Sequence, residues 1–357
     1  AGLLSQGARQ GRDIHEVDLD EMWSAKQFAA FGQNILDRRM SYQDAVPSTS
    51  FSYCLRGELN GLQYRDAIAD GIQRFEAQVQ RHQDSVRYGE WIARASERSS
   101  DPSLESLADL YVTRILLVRD ETKKQMSLDL ALPAEQLDER DSSSVRGAAE
   151  LFMHEELKIP YYFGIDRLCV MATNNVEELL FLAAALYEGL QAKQILRKPE
   201  NVLSPSEQEK LLKDAAKRKR DFIPKNHTDG QRAQRLLDSI ATFCHEKTYL
   251  PNAPYAPGVT GVRLSRAEMA KLLAPTKGLG EPGSHLVRVL AECTAENLLV
   301  PRESAASTSR DSGTVFYLNR TLCAHYDLPL QLGGWQDVSA GDMIRWMERR
   351  MTPTRQV

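Results

Sequence analysis

Apolar residues recur along most of this chain at helical spacing. The clearest series is Val176, Leu179, Leu180, Ala183, Leu186, Tyr187 and Leu190, which share one face of a 3.6-residue helix. Asn174 with Glu177 supplies its N-terminal cap, so a core helix is predicted there. Similar stripes predict helices over about 20–40 (Met22, Trp23, Phe28, Phe31, Ile35, Leu36), 59–97 (Ile68, Ile72, Phe75, Val79) and 104–118. Ser/Thr/Pro breaks at 46–52 and 99–103 separate them, and the acidic, Ser-rich 135–144 reads as a linker or loop. Ser204, Pro205 and Glu207 mark another helix start, a capping box with proline at the first position.

From about Gln231 the texture becomes mixed. Gln231–Lys247 reads as helix, Pro251, Pro254 and Pro257 favour an extended passage, and 258–264 is short and β-branched enough for a strand. Ser265 and Glu268 start a short helix ending near Leu273. A Gly/Pro turn (Gly278, Gly280, Pro282, Gly283) leads to a helix over 284–297, and strands over 298–302 and 314–320 flank a polar loop. Helix, strand, helix, turn, helix, strand, loop, strand is the order of a winged-helix domain. The expected fold is mainly α with a C-terminal α+β winged-helix domain, divided into a helical region 1–145, a second helical region 146–230 and the winged helix 231–357.

Composition narrows the classes. The chain has 357 residues, 42% of them hydrophobic, enough for two or three domains. Its longest aliphatic run, Leu179–Leu186, is far short of the ~20 residues a spanning helix needs, so no membrane is expected. Cys54, Cys169, Cys244, Cys293 and Cys323 are scattered without a CxxC pair, which argues against a disulfide framework or zinc site and makes a cytoplasmic location the default. The net charge of −4 conceals an asymmetry: residues 1–187 carry 20 basic and 30 acidic side chains, and 188–357 carry 25 and 19. A positive C-terminal half permits double-stranded DNA without requiring it.

Motifs for catalysis are lacking. The sequence holds no GxxxxGK[ST], HExxH or GxSxG and no GxGxxG after a strand; the Gly-rich Thr276–Gly283 reads as a turn because its lysine precedes the glycines and Pro282 and Gly283 sit where a helix start should follow a strand. His154 beside Glu155 and Glu156 reads as a solvent-facing helical residue, and His245 as a helix-end group. The winged-helix order instead nominates contacts to DNA. Ser284, His285 and Arg288 fall on the outer face of the recognition helix predicted over 284–297, with Arg302 and Arg310 beside or within the wing. Glu292 and Glu296 on that helix would repel a phosphate backbone. The run Lys217, Arg218, Lys219 and Arg220 is either a solvated helix end or a further phosphate contact.

Several segments are similar to one family. Ile159-Pro160-Tyr161-Tyr162-Phe163-Gly164, then Met171-Ala172-Thr173-Asn174-Asn175-Val176-Glu177 and the leucine-rich helix, resemble the lid of bacterial ATPases in the origin-recognition-complex branch of AAA+ proteins. Asn252–Gly261, Phe316–Arg320, Leu328-Pro329-Leu330 and Gly333-Gly334-Trp335 resemble that group's C-terminal winged-helix region, so the likeness covers about residues 150–340. It implies an ATP-driven switch: a nucleotide-binding core, a lid over 146–230 and a winged helix gripping DNA or a partner.

Two departures change what can be carried over. The phosphate loop and acidic magnesium motif are missing, and the lid helix starts Asn175-Val176-Glu177 where such ATPases often place an arginine against nucleotide. ATP and magnesium are therefore expected only if an ATPase core lies outside this sequence, which begins at Ala1 and has the size of the back part of a longer switch. Arg38 and Arg39 could act in trans on a neighbour's phosphates. The expected function is a non-catalytic or C-terminal portion of an AAA+-type ATPase. It would work with partner subunits in DNA-linked mobile-element or antiphage-defence machinery. The alternative is a helical scaffold whose winged helix binds protein, with neither ATP nor DNA of its own.

Overall fold

A computed structural model describes residues 25–41, 50–82, 85–99, 102–123, 142–250, 258–274, 279–304 and 312–351. The first helix, α1 (Ala25–Ser41), buries Phe28, Leu36 and Met40. The single helix expected over 59–97 is divided into a 3-10 turn at Gly61–Tyr64, α2 (Arg65–Val79), a second 3-10 turn at Gln80–His82, and α3 (Gly89–Ser99). Tertiary bonds explain the break. Arg87 Nε donates to Asp120 Oδ2 at 2.7 Å and Tyr88 Oη donates to the same oxygen at 3.0 Å, fixing this stretch to α4 (Leu104–Lys123). Of the expected linker 135–144, residues 135–141 lie outside the described residues, and Ser142 caps α5 (Ser143–Leu157). The Pro251, Pro254 and Pro257 passage also lies outside them.

The next helices are α6 (Ile165–Met171), α7 (Val176–Ile195), α8 (Pro205–Asn226) and α9 (Gly230–Thr248). Asn175 rather than Asn174 caps α7. Asn174 is left-handed at φ 58, closing the preceding turn, while Asn175 is extended and its Oδ1 accepts the N–H groups of Glu177 and Glu178 at 2.8 and 3.3 Å. The Ser204–Glu207 capping box of α8 is present. This helix continues past Arg220 to Asn226, with Pro224 inside it, so the basic run is not in its last turn.

The C-terminal part is α+β: β1 (Val259–Ser265), α10 (Arg266–Leu273), α11 (Gly280–Ala295), β2 (Leu299–Ser304), β3 (Gly313–Leu318), α12 (Arg320–His325), β4 (Gly334–Asp337) and α13 (Ala340–Glu348). The sheet order is β2-β3-β1-β4, with β3 antiparallel to both neighbours and β4 parallel to β1. Helix α11 starts four residues before the expected Ser284 and takes Pro282 and Gly283 into its first turn, where a missing N–H costs nothing.

Buried side chains form two main clusters. One joins α2–α5 around Trp91, Tyr111 and Leu107; the other runs from α1 through α7–α9 to the sheet and α13. They meet at 159–162, where Ile159 belongs to the first and Tyr161 and Tyr162 to the second. Gly258 sets the entry of β1 at φ 133, and a Cβ there would lie 2.6 Å from Thr248 Cγ2. Thr248 Oγ1 meanwhile accepts from Val259 N at 2.9 Å. Gly258→Ala is therefore expected to destabilise by about 1–3 kcal/mol, read as a lower urea midpoint with unchanged m.

Candidate nucleic-acid interface

The polar face of α11 follows from its apolar one. Leu286, Val289, Leu290 and Cys293 are buried, leaving Ser284 and Arg288 exposed and His285 half-buried. Ser284 Oγ lies 3.4 Å from Gly280 O, and His285 Nε2 lies 3.8 Å from Glu281 Oε1. Arg288 is 62% exposed, with Nε 3.7 Å from Asp229 Oδ2. Glu292 does not simply face outward. Its carboxylate accepts the backbone N–H groups of Thr228 and Asp229 at 2.7 and 3.2 Å, satisfying donors at the entry of α9. Glu296 is exposed.

Helix α11 packs on β2, which it reaches through a tight turn with Asn297 left-handed at φ 51. Arg302 is exposed on β2 opposite Val315; Arg310 lies outside the described residues. Sequence reasoning missed Arg263, which is paired with Asp337 at 2.5 and 2.8 Å and sits 5.9 Å from the Trp335 ring centroid. No local signal marks it, since Asp337 is on a strand that the periodicity does not reveal.

The basic run on α8 splits by direction. Lys217 and Arg218 are exposed, Arg218 lying 3.9 Å from Glu188. Lys219 turns inward to Glu178, which also accepts from Thr321 Oγ1 at 2.9 Å, and burial pushes the Lys219 pKa down to about 8. Arg220 Nε donates to the nearly fully buried Asp238 at 2.9 Å. These two cations neutralise internal carboxylates, so a phosphate has access to the other two.

Arg38 and Arg39 lie in the exposed last turn of α1. Arg39 rims a cleft of about 170 Å³ with Leu36, Met40, Phe51, Leu180 and Tyr187. The N-terminus of α7 is not open to an anion. The first turn of α7 carries Glu177 and Glu178, and Asn175 occupies the N–H groups that an anion would use. Among the described residues no group of three His, Cys, Asp or Glu could hold a metal ion.

His154 is not solvent-facing. It is 5% exposed, with Nδ1 2.9 Å from Ile159 O and Nε2 2.9 Å from Asp327 Oδ1. The partner carboxylate lies 173 residues away in sequence, beyond any local signal. This group lies where the two cores join. No described helix is long and apolar enough to cross a membrane.

Among protein families, the model described as ORC-CDC6-like matches residues 3–335. The match extends well ahead of residue 150, into the N-terminal helices. No curated protein and no solved structure matches the chain.

Proposed function

The chain belongs to the ORC-CDC6-like family, and from that premise we propose that α9 to β3 form a winged helix gripping duplex DNA, as the non-catalytic part of an AAA+-type machine. One observation carries the reading: α11 presents Ser284, His285 and Arg288 on its open face and packs on the strand that bears Arg302. In such a domain the helix enters a groove and the β2–β3 hairpin tracks the backbone. The region 146–230 then serves as a lid-like unit. ATP and magnesium enter only if an ATPase core lies outside these residues, and partner subunits complete the assembly. A cytoplasmic place in mobile-element or antiphage-defence machinery belongs to the same reading.

Titration of a short mixed-sequence duplex at low ionic strength tests it. The wild-type chain binds, and Arg288→Ala with Arg302→Ala weakens binding and lowers the slope of log K against log salt by about 2, close to one for each phosphate left without its cation. Absence of binding at low salt, or binding indifferent to the double substitution, refutes the DNA reading. A second reading has its own support. Glu281 and Glu296 are exposed on α11, and Arg288 already lies near Asp229, so this face also suits a basic protein partner. Capture of a basic partner subunit without DNA, weakened by salt and by Glu281→Gln with Glu296→Gln, would favour that reading.

A further inference from the structure

Two phenylalanines stand open on neighbouring helices, Phe181 on α7 at 36% exposure and Phe222 on α8 at 52%. Both line a cleft of about 320 Å³ that α7 and α8 form with the end of α11 and the approach to β2. The buried Leu298 adds a further apolar wall. A concavity with apolar walls and a few polar groups at its edge is the form in which proteins take up a ligand or a partner's side chain.

The charge of the cleft selects its occupant. Glu177 lines it from the first turn of α7 and Glu296 from the C-cap of α11. Both are exposed, and neither carboxylate has an ion pair or a hydrogen-bond donor among the described residues. The other charges of the lining are matched already: Lys219 pairs with Glu178, and His227 turns Nδ1 toward Glu292 Oε1 at 4.0 Å. Two free carboxylates beside aromatic rings repel a phosphate and attract a cation that can lie on a ring face. Lys225, which does not line the cleft, already places Nζ 5.8 Å from the Phe222 centroid. Arginine suits such a site better than lysine, because its planar guanidinium stacks on a ring and donates two parallel hydrogen bonds to a carboxylate. The fold uses that combination itself: Arg114 lies 4.2 Å from the Tyr111 centroid while donating to both oxygens of Glu156.

We propose that this cleft takes an arginine side chain of a partner protein, with the guanidinium against Phe181 and Phe222 and with Glu177 and Glu296 as its acceptors. The site does not depend on the duplex reading, since Ser284, His285 and Arg288 lie near the start of α11 and Glu296 lies past its end. Its walls come from the region 146–230 and from the C-terminal α+β part together. An arginine seated there therefore holds the two in one relative arrangement.

The test titrates the full chain with a capped, glycine-flanked peptide holding a single arginine, and with the same peptide holding citrulline, which keeps the shape and loses the charge. The arginine peptide is expected to bind about tenfold more tightly than the citrulline one at low salt. Glu177→Gln and Phe222→Ala should each weaken it about two- to fivefold. Glu188→Gln, which removes an exposed charge from α7 outside the cleft, should leave it unchanged. Chemical unfolding of each variant checks that the fold is intact, as expected for exposed positions. Equal affinity for the two peptides, or no binding of either, overturns the proposal. So does an affinity indifferent to Glu177→Gln and Phe222→Ala, or one weakened as much by Glu188→Gln, which would report only the general negative charge of this side. Self-association of the chain that Glu177→Gln abolishes, without peptide binding, would give the cleft to a second copy and overturn the partner assignment. Duplex titration of Glu177→Gln should match wild type, so failure of this site and failure of the DNA reading are told apart.

Discussion

Asp327→Asn is expected to destabilise the protein by about 1–3 kcal/mol at neutral pH, the cost of removing the charged partner from a half-buried pair with His154 and Lys213. Asp327 sits just after α12 in a left-handed conformation at φ 54, which asparagine tolerates, so the substitution isolates the charge. The carboxylate accepts from His154 Nε2 at 2.9 Å and from Lys213 Nζ at 2.5 Å. His154 Nδ1 faces Ile159 O at 2.9 Å and Glu209 Oε1 at 3.5 Å. With an acceptor at each ring nitrogen, the imidazole is satisfied only when both carry a proton.

Burial alone would lower the His154 pKa, but the bond to Asp327, the Glu209 charge and the Ile159 carbonyl outweigh it and raise the pKa above 6.5. Its stabilising contribution is therefore complete below about 6.5 and is lost as pH rises through the raised value. Burial would raise the pKa of Asp327, yet His154 and Lys213 hold it down to about 2, from 3.8. That contribution is complete above 3.8 and is lost as pH falls through about 2. Urea unfolding across this range should show stability falling on both sides of a plateau, with both limbs flattened in Asp327→Asn. Identical pH profiles for wild type and variant would refute this account.

Arg220→Ala should cost about 3–5 kcal/mol of stability, whatever it does to DNA affinity. Asp238 is 2% exposed and receives Arg220, the Tyr326 hydroxyl, and Arg350 at 3.4 Å. Without Arg220, a buried carboxylate keeps one hydroxyl and a distant, exposed cation. Lys217→Ala and Arg218→Ala, on the same run but exposed, should shift stability by no more than about 0.5 kcal/mol. Chemical unfolding and duplex titration of all three separate structural cations from those open to a phosphate. Equal stability across the set would contradict the inward placement of Arg220.

What the sequence discloses follows the range of the interactions concerned. Capping is local, so the Ser204–Glu207 box and the Ser265 cap over Glu268 are readable from spacing and recur in the structure. The buried stripe of α11 is equally local. The break at 85–88 is not, because the bonds that hold Arg87 and Tyr88 reach 33 and 32 residues along the chain. Strand β4 has four residues and pairs in parallel with β1, about seventy positions earlier, leaving too short a pattern to read. The direction of Lys219 and Arg220 has the same cause: their partners Glu178 and Asp238 lie on other helices. At the candidate interface, Ser284, Arg288 and Arg302 are legible as exposed positions.

The place of β1 in the sheet also orders the assembly of this molecule during synthesis. Both strands that flank β1 are encoded after it, β3 first and β4 last. As the chain leaves the ribosome, the helices up to α9 can collapse on one another while β1 still has two open edges. The β2–β3 hairpin closes one of them, and the other waits for the passage through α12. An open apolar strand edge recruits other chains, so a pause in translation between β3 and β4 exposes the newborn protein to aggregation at a defined point.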